Sequence, residues 1–153
     1  MEMHIASEEA MEALGETLGG RLAGAVAGSC SIFLRGPLGA GKTTLVRGFL
    51  RAMGYAGTIK SPTYTLIETY QLGDHEVHHF DLYRLNDPEE LENIGVRDYF
   101  TGRSVHIVEW PEKGAGKLPP ADIEFKISYD GTARQILIKA GSLAGQMLAD
   151  SLK

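Results

Sequence analysis

The chain has 153 residues, 43% of them hydrophobic and 23% charged, enough to bury one real core and ordinary for a soluble globular domain. One cysteine, Cys30, excludes an internal disulfide framework and a multi-cysteine metal site, and it fits a reducing compartment. A formal net charge of −5 argues against holding nucleic acid over a broad basic surface; an RNA substrate would need a partner to carry most of the grip.

The opening "MEMHIASEEAMEALGE" is acidic and lacks the basic-then-apolar pattern of a secretory signal. Ser7 predicts the cap of an amphipathic helix running to about Gly24, with Met11, Leu14, Leu18 and Leu22 on one face. Gly15, Gly19 and Gly20 weaken that helix, so it must lean on tertiary contacts. "LAGAVAGSCSIFL" (22–34) is too short and interrupted to span a bilayer, and its end, "SCSIFL", predicts a short buried strand. Leu45, Val46, Phe49, Leu50 and Met53 then fall at helical spacing before Gly54.

"YTLIETYQL" (64–72) and "EVHHFDLY" (76–83) alternate around a glycine turn and predict an antiparallel hairpin. Asp87 and "PEELENIG" predict a short helix with its cap, first-turn proline and closing glycine. "SVHIVEW" (104–110) predicts another buried strand, stopped by Pro111, and 113–121 a loop. "DIEFKISY" and "ARQILIKA" flank "DGT" as a second hairpin, and "SLAGQMLADSL" closes as an amphipathic helix. There are no internal repeats, and nothing marks a linker, so residues 1–153 are expected to form one α/β domain with a mixed parallel and antiparallel sheet.

Residues 36–43, "GPLGAGKT", match the phosphate-binding pattern G-x-x-x-x-G-K-[ST]. Glycines there let backbone N–H groups approach phosphate oxygens with no Cβ in the way, and the following helix points its positive end at the same anion. Lys42 would reach the β- and γ-phosphates, and the Thr43 hydroxyl would hold Mg²⁺. Such a site needs a carboxylate near the metal at the end of a buried strand; Asp81 in "VHHFDLYRL" and Glu109 in "VHIVEWP" are the candidates. Each could instead form an ordinary ion pair, Asp81 with Arg84 and Glu109 with Lys113.

"KSPTYTLIETY" (60–70) offers Ser61, Thr63 and Thr65 either to a γ-phosphate-sensing segment or to simple turn chemistry. His75, His78 and His79 lack acidic or thiol partners at ligand spacing and read as ordinary core or surface histidines. Trp110 follows Glu109 as a packing residue, a ring beside the nucleotide or a partner contact. The absence of an [NT]-K-x-D stretch favours adenine over guanine.

In order and spacing, "GPLGAGKTT", "SPTYTLIETY" with "HFDLYRL", and "VEWPEKG" resemble the TsaE (YjeE) family of small bacterial P-loop ATPases, over nearly the whole chain. The resemblance implies a three-layer P-loop NTPase-like domain acting in the cytoplasm, in formation of N6-threonylcarbamoyladenosine at position 37 of tRNAs that read codons starting with A. It implies ATP and Mg²⁺ as ligands and a TsaD–TsaB pair as partner, with tRNA met only through that complex and no role for DNA or a membrane. ATP hydrolysis would reset the pair, while TsaD performs the transfer. Residue by residue, the loop Gly36 to Thr44 (Gly36, Leu38, Gly39, Ala40, Gly41, Lys42, Thr43, Thr44) would bind ATP. Thr43 and Glu109 would hold Mg²⁺, with Asp81 as the Walker B-like acid. Thr65 would belong to the switch-like segment, Trp110 would lie beside the metal acid, and Arg134 would lie near the base. Lys42, Asp81 and Glu109 would form the catalytic set. The alternatives are a nucleoside-kinase-like phosphotransferase using Asp81 and Arg84 for its acceptor, and a binding switch with negligible hydrolysis.

Overall fold

Strands rich in β-branched and aromatic residues on both sides of the pleat are stable only inside a sheet with both faces covered. In the computed structural model, which describes residues 1–24 and 28–153, four such strands lie parallel. They are β2 (Cys30–Arg35), β4 (His75–Asp81), β5 (Ser104–Glu109) and β6 (Ile123–Asp130). Antiparallel strands extend the two edges: β3 (Ile67–Leu72) beside β4, β7 (Ala133–Ala140) beside β6, and β1 (Glu2–Ile5) beside β7. The order is β1-β7-β6-β2-β5-β4-β3, the mixed α/β sheet expected from the hairpins. Strand β1 has no counterpart in the sequence patterns, because "EMHI" is too short to show a period.

Alternation divides the core. Ile32, Leu34, Val77, Val105, Ile107 and Phe125 face α1 (Glu8–Ala23), α2 (Lys42–Ala52) and α4 (Leu143–Ser151). Phe33, Phe80 and Val108 face the other way, under Leu91 of α3 (Glu89–Asn93) and Val96 of a 3₁₀ turn at Val96–Phe100. This second covering layer lies over β2, β5 and β4; on β6 and β7 the same face leaves Lys126, Ser128, Leu137 and Lys139 exposed. Among the described residues no helix is long and apolar enough to cross a membrane.

The glycines that weaken α1 are the reason it can sit where it does. A Cβ on Gly15 would lie 2.0 Å from the Leu45 carbonyl oxygen, and one on Gly48 would lie 2.1 Å from that of Glu12. The two helices therefore touch backbone to backbone, fixing the N-terminal end of α2 against α1. Ser7 caps α1 by accepting from the Ala10 N–H at 3.1 Å, and Gly54 (φ +103°) ends the turn after α2.

Behind the sheet, His106 is buried beside Phe100 and stacks on His78 at 5.6 Å. Its Nε2 donates to the Tyr99 carbonyl and lies 3.0 Å from the Ser104 hydroxyl. Burial, opposed mainly by the Tyr99 hydrogen bond, pushes its pKa down to about 4 from 6.5.

Two expected outcomes follow from this packing. Gly15→Ala should lower stability by on the order of 3 kcal/mol in urea unfolding, since the clash is with backbone. Gly20→Ala, whose Cβ would meet nothing within 4 Å, should raise it by about 1 kcal/mol. The pH dependence has a fixed sign: between about 4 and 6.5 the unfolded His106 binds a proton that the folded one refuses. Its contribution, about 3 kcal/mol at most, is complete above pH 6.5 and is lost as the pH falls toward 4. Urea midpoints measured from pH 7 to pH 4.5 should fall less steeply in His106→Gln than in the parent; parallel curves would contradict the assignment.

Candidate functional site

The glycine loop leaves the C-terminal end of β2 and enters α2 at Lys42. Gly39 and Gly41 have φ of +76° and +109°, left-handed backbone that a side chain resists. Every carbonyl from Gly36 to Ala40 accepts from a side chain. The buried Lys42 Nζ donates to Gly36 and, at 3.2 Å, to Pro37, while the Tyr129 hydroxyl donates to Leu38. Arg134 donates to Gly39 through Nη2 at 3.3 Å and to Ala40 through Nε at 3.1 Å. A trans peptide points its N–H opposite its C=O, so carbonyls tied down in this way favour amides facing the other side, as an anion-binding concavity requires. Tyr129 and Arg134 are cross-strand partners at the end of the β6–β7 hairpin, which thus braces the loop.

The parallel pairing of β4 with β5 sets Asp81 opposite Glu109, both at strand ends beside the loop. Glu109 is 2% exposed; its Oε1 and Oε2 lie 3.4 and 3.3 Å from the Thr43 hydroxyl, and Oε2 lies 2.6 Å from His79 Nε2. Asp81 accepts from the Tyr83 N–H at 3.1 Å. Burial holds the Asp81 carboxyl above the usual carboxylate range, with the Glu109 charge adding to it, against the Tyr83 N–H, His79 and Lys42. Burial likewise lowers the Lys42 pKa, against the nearby charges of Glu109, Asp81 and Glu112. The Lys42 ammonium lies 3.9 Å from the centre of the Trp110 ring. Trp110 itself is left-handed (φ +58°), the backbone turning out of β5 into a 3₁₀ turn at Pro111–Gly114.

Two cavities of about 290 Å³ each flank the arm Gly39–Gly41. The first is lined by Leu38, Lys42, Thr43, Ser61, Thr63, Asp81, Glu109 and Trp110, and the second by Ile5, Ser7, Glu8, Met11, Thr132 and Arg134; Thr44 borders both. The Thr43 hydroxyl and the carboxylates of Asp81 and Glu109 share the first, an oxygen set that suits a hard divalent cation such as Mg²⁺.

Most of the residues predicted from sequence therefore meet here, with three differences. Thr65 is exposed and does not line either cavity; its hydroxyl donates to Glu68 at 3.1 Å, because β3 starts only at Ile67 and 64–66 turn away, Leu66 in left-handed backbone at φ +67°. The ordinary ion pairs do not form among the described residues: the Arg84 guanidinium lies 4.7 Å over the Tyr64 ring and the Lys113 ammonium 5.1 Å over that of Tyr83. His79, an ordinary core histidine by spacing, touches Glu109. The period of two along β4, which puts His79 on the side of Asp81, was the available signal for it. Ser7 was marked as a helix cap, but nothing local marked it, Ile5 or Glu8 as lining a cavity, which they do where β1 joins the sheet and α1 begins beside the loop.

A glycine loop between a buried parallel strand and a helix, with an ammonium, a hydroxyl and two carboxylates at the strands' C-terminal ends, defines an α/β protein of the strand–loop–helix class. The family model described as threonylcarbamoyl adenosine biosynthesis protein TsaE matches residues 5–136, and the chain belongs to this family. The tRNA threonylcarbamoyladenosine biosynthesis protein TsaE of Haemophilus influenzae is 53% identical over 115 residues, covering 75% of this chain and 73% of that one. The Bacillus subtilis protein of the same name is 37% identical over 120 residues, covering 78% and 75%. The crystal structure of Bacillus subtilis YdiB superposes with a TM-score of 0.78 at 27% identity, over 99% of this chain and 93% of that one.

Arg134→Ala should free the carbonyls of Gly39 and Ala40. Amide exchange followed by mass spectrometry should quicken in a peptide spanning 36–44 and stay unchanged in β2 and β5.

Proposed function

We propose that this chain binds and hydrolyses ATP with Mg²⁺ in the cytoplasm. Hydrolysis there would serve N6-threonylcarbamoyladenosine formation on tRNA by resetting a TsaD–TsaB pair between turnovers. The observation that carries the reading is the convergence of Lys42, Thr43, Asp81 and Glu109 on one cavity beside the glycine loop. The loop amides and Lys42 bind the phosphates, Lys42 exchanging the Gly36 and Pro37 carbonyls for phosphate oxygens. Thr43 and Glu109 would hold the cation with Asp81 beside them, and Mg²⁺, when bound, would supply positive charge that offsets the charge of the phosphates. Ser61 and Thr63 line the same cavity and respond to the terminal phosphate, while the second cavity, with Arg134 in its wall, takes the base. A net charge of −5 accords with tRNA being met through the partners.

The purified chain should hydrolyse ATP slowly and faster with the partner pair present. Lys42→Ala should cut turnover about a hundredfold or more. Glu109→Ala should fold yet lose its Mg²⁺-dependent turnover. Unchanged hydrolysis in Glu109→Ala, or γ-phosphate appearing on a nucleoside or sugar instead of in water, would overturn the reading. Multiple-turnover tRNA modification with and without this chain tests the cellular role.

A further inference from the structure

We infer that His79 is a positioning residue of this site: its imidazole commits one carboxylate oxygen of Glu109 to the protein and leaves the other for a divalent cation. The inference rests on the reading of Thr43 and Glu109 as cation ligands.

Three observations carry it. His79 is fully buried, and its Nε2 lies 2.6 Å from Glu109 Oε2, the length of a strong hydrogen bond to a carboxylate. The Thr43 hydroxyl lies about equally far from both oxygens, 3.4 Å from Oε1 and 3.3 Å from Oε2, so the imidazole is what separates them: among the described residues the ring nitrogen meets Oε2 and not Oε1. The other ring nitrogen, His79 Nδ1, is buried with no hydrogen-bond partner among the described residues.

That orphan atom decides the tautomer. A proton on Nδ1 would bury an unpaired N–H donor, the costlier kind of unsatisfied group, and would leave Nε2 facing a carboxylate with a lone pair. The ring is therefore the Nε2–H form, donating to Oε2. With Oε2 occupied, Glu109 offers the cation one oxygen at one angle. Mg²⁺ tolerates little departure from octahedral geometry and takes few carboxylates, so a carboxylate held in this way is an advantage to it. The aim of the ring comes from the sheet: His79 and Asp81 share a face of β4, and the register sets Asp81 opposite Glu109 and His79 opposite Ile107, two residues before Glu109 on the same face of the neighbouring strand.

The test uses the full chain. Long-range ¹⁵N–¹H spectra of the imidazoles, without nucleotide or metal, should show a proton on His79 Nε2; an Nε2 that carries none overturns the proposal. Affinity for a non-hydrolysable ATP analogue is then followed by Trp110 fluorescence while Mg²⁺ is titrated. His79→Met should raise the Mg²⁺ midpoint about tenfold or more and leave the affinity measured in EDTA unchanged. His79→Gln, whose amide N–H reaches as far as Nε2, should bring the midpoint back to near the parent value. A parent-like midpoint in His79→Met, or no recovery in His79→Gln, overturns it. If His79→Met fails to fold by circular dichroism, His79→Asn, too short to reach Oε2, is read in its place with the same expectation.

Glu109→Gln separates the two levels. If that variant alone leaves the midpoint unchanged, the cation reading fails. If it raises the midpoint and the His79 variants do not, only the role of His79 fails. Adding His79→Met to Glu109→Gln should produce no further shift.

Discussion

The rest of the site depends on one register. Parallel pairing of β4 and β5 sets the half-buried Asp81 opposite the buried Glu109, so two carboxylates sit side by side, a costly arrangement unless compensated. The surroundings supply the compensation from two elements: Lys42 and the Thr43 hydroxyl from the first turn of α2, and His79 from β4. It is incomplete, and the raised pKa of Asp81 and the lowered pKa of Lys42 both record burial that the opposite charges only partly offset. Perturbed groups of both signs around one cavity are characteristic of a site arranged for a charged ligand rather than for stability.

That arrangement holds only if α2 arrives at the right height over the sheet. The glycines of α1 and α2 allow the helices to meet at backbone distance, and Lys42 and Thr43 begin the helix so positioned. Met11, on the same α1, fills the space that a Cβ on Gly41 would need, at 3.2 Å, and walls the second cavity, with Ser7 at the helix cap lining it too. One helix thus supports the loop from behind and shapes the space on its far side, which couples folding of the N-terminal segment to both cavities.

The β6–β7 hairpin supports the loop from the opposite direction. Tyr129 and Arg134 hold the carbonyls of Leu38, Gly39 and Ala40, leaving the glycine-rich arm ordered without a side chain of its own in the way. A loop that must present backbone amides cannot be stabilised by its own packing, so its order is borrowed from neighbouring elements. The same hairpin end borders the second cavity through Thr132 and Arg134.

Local chemistry was legible in the sequence. The phosphate-loop spacing, the two acids that end apolar runs, the hairpins around glycine turns and the capped helices all depend on neighbours within a few residues, and periodicity or glycine placement exposes them. Sequence alone also required tertiary support for α1, since three glycines in one helix cannot stand unaided. Its partner, the backbone of α2, was decided only by the fold. So were the docking of β1, the turn that carries Thr65 away from the cavity, the freedom of Asp81 from Arg84, and above all the hydrogen bond from His79 to Glu109, thirty positions apart along the chain. Strand register and helix docking join residues distant in sequence, and no local period records which of them will meet.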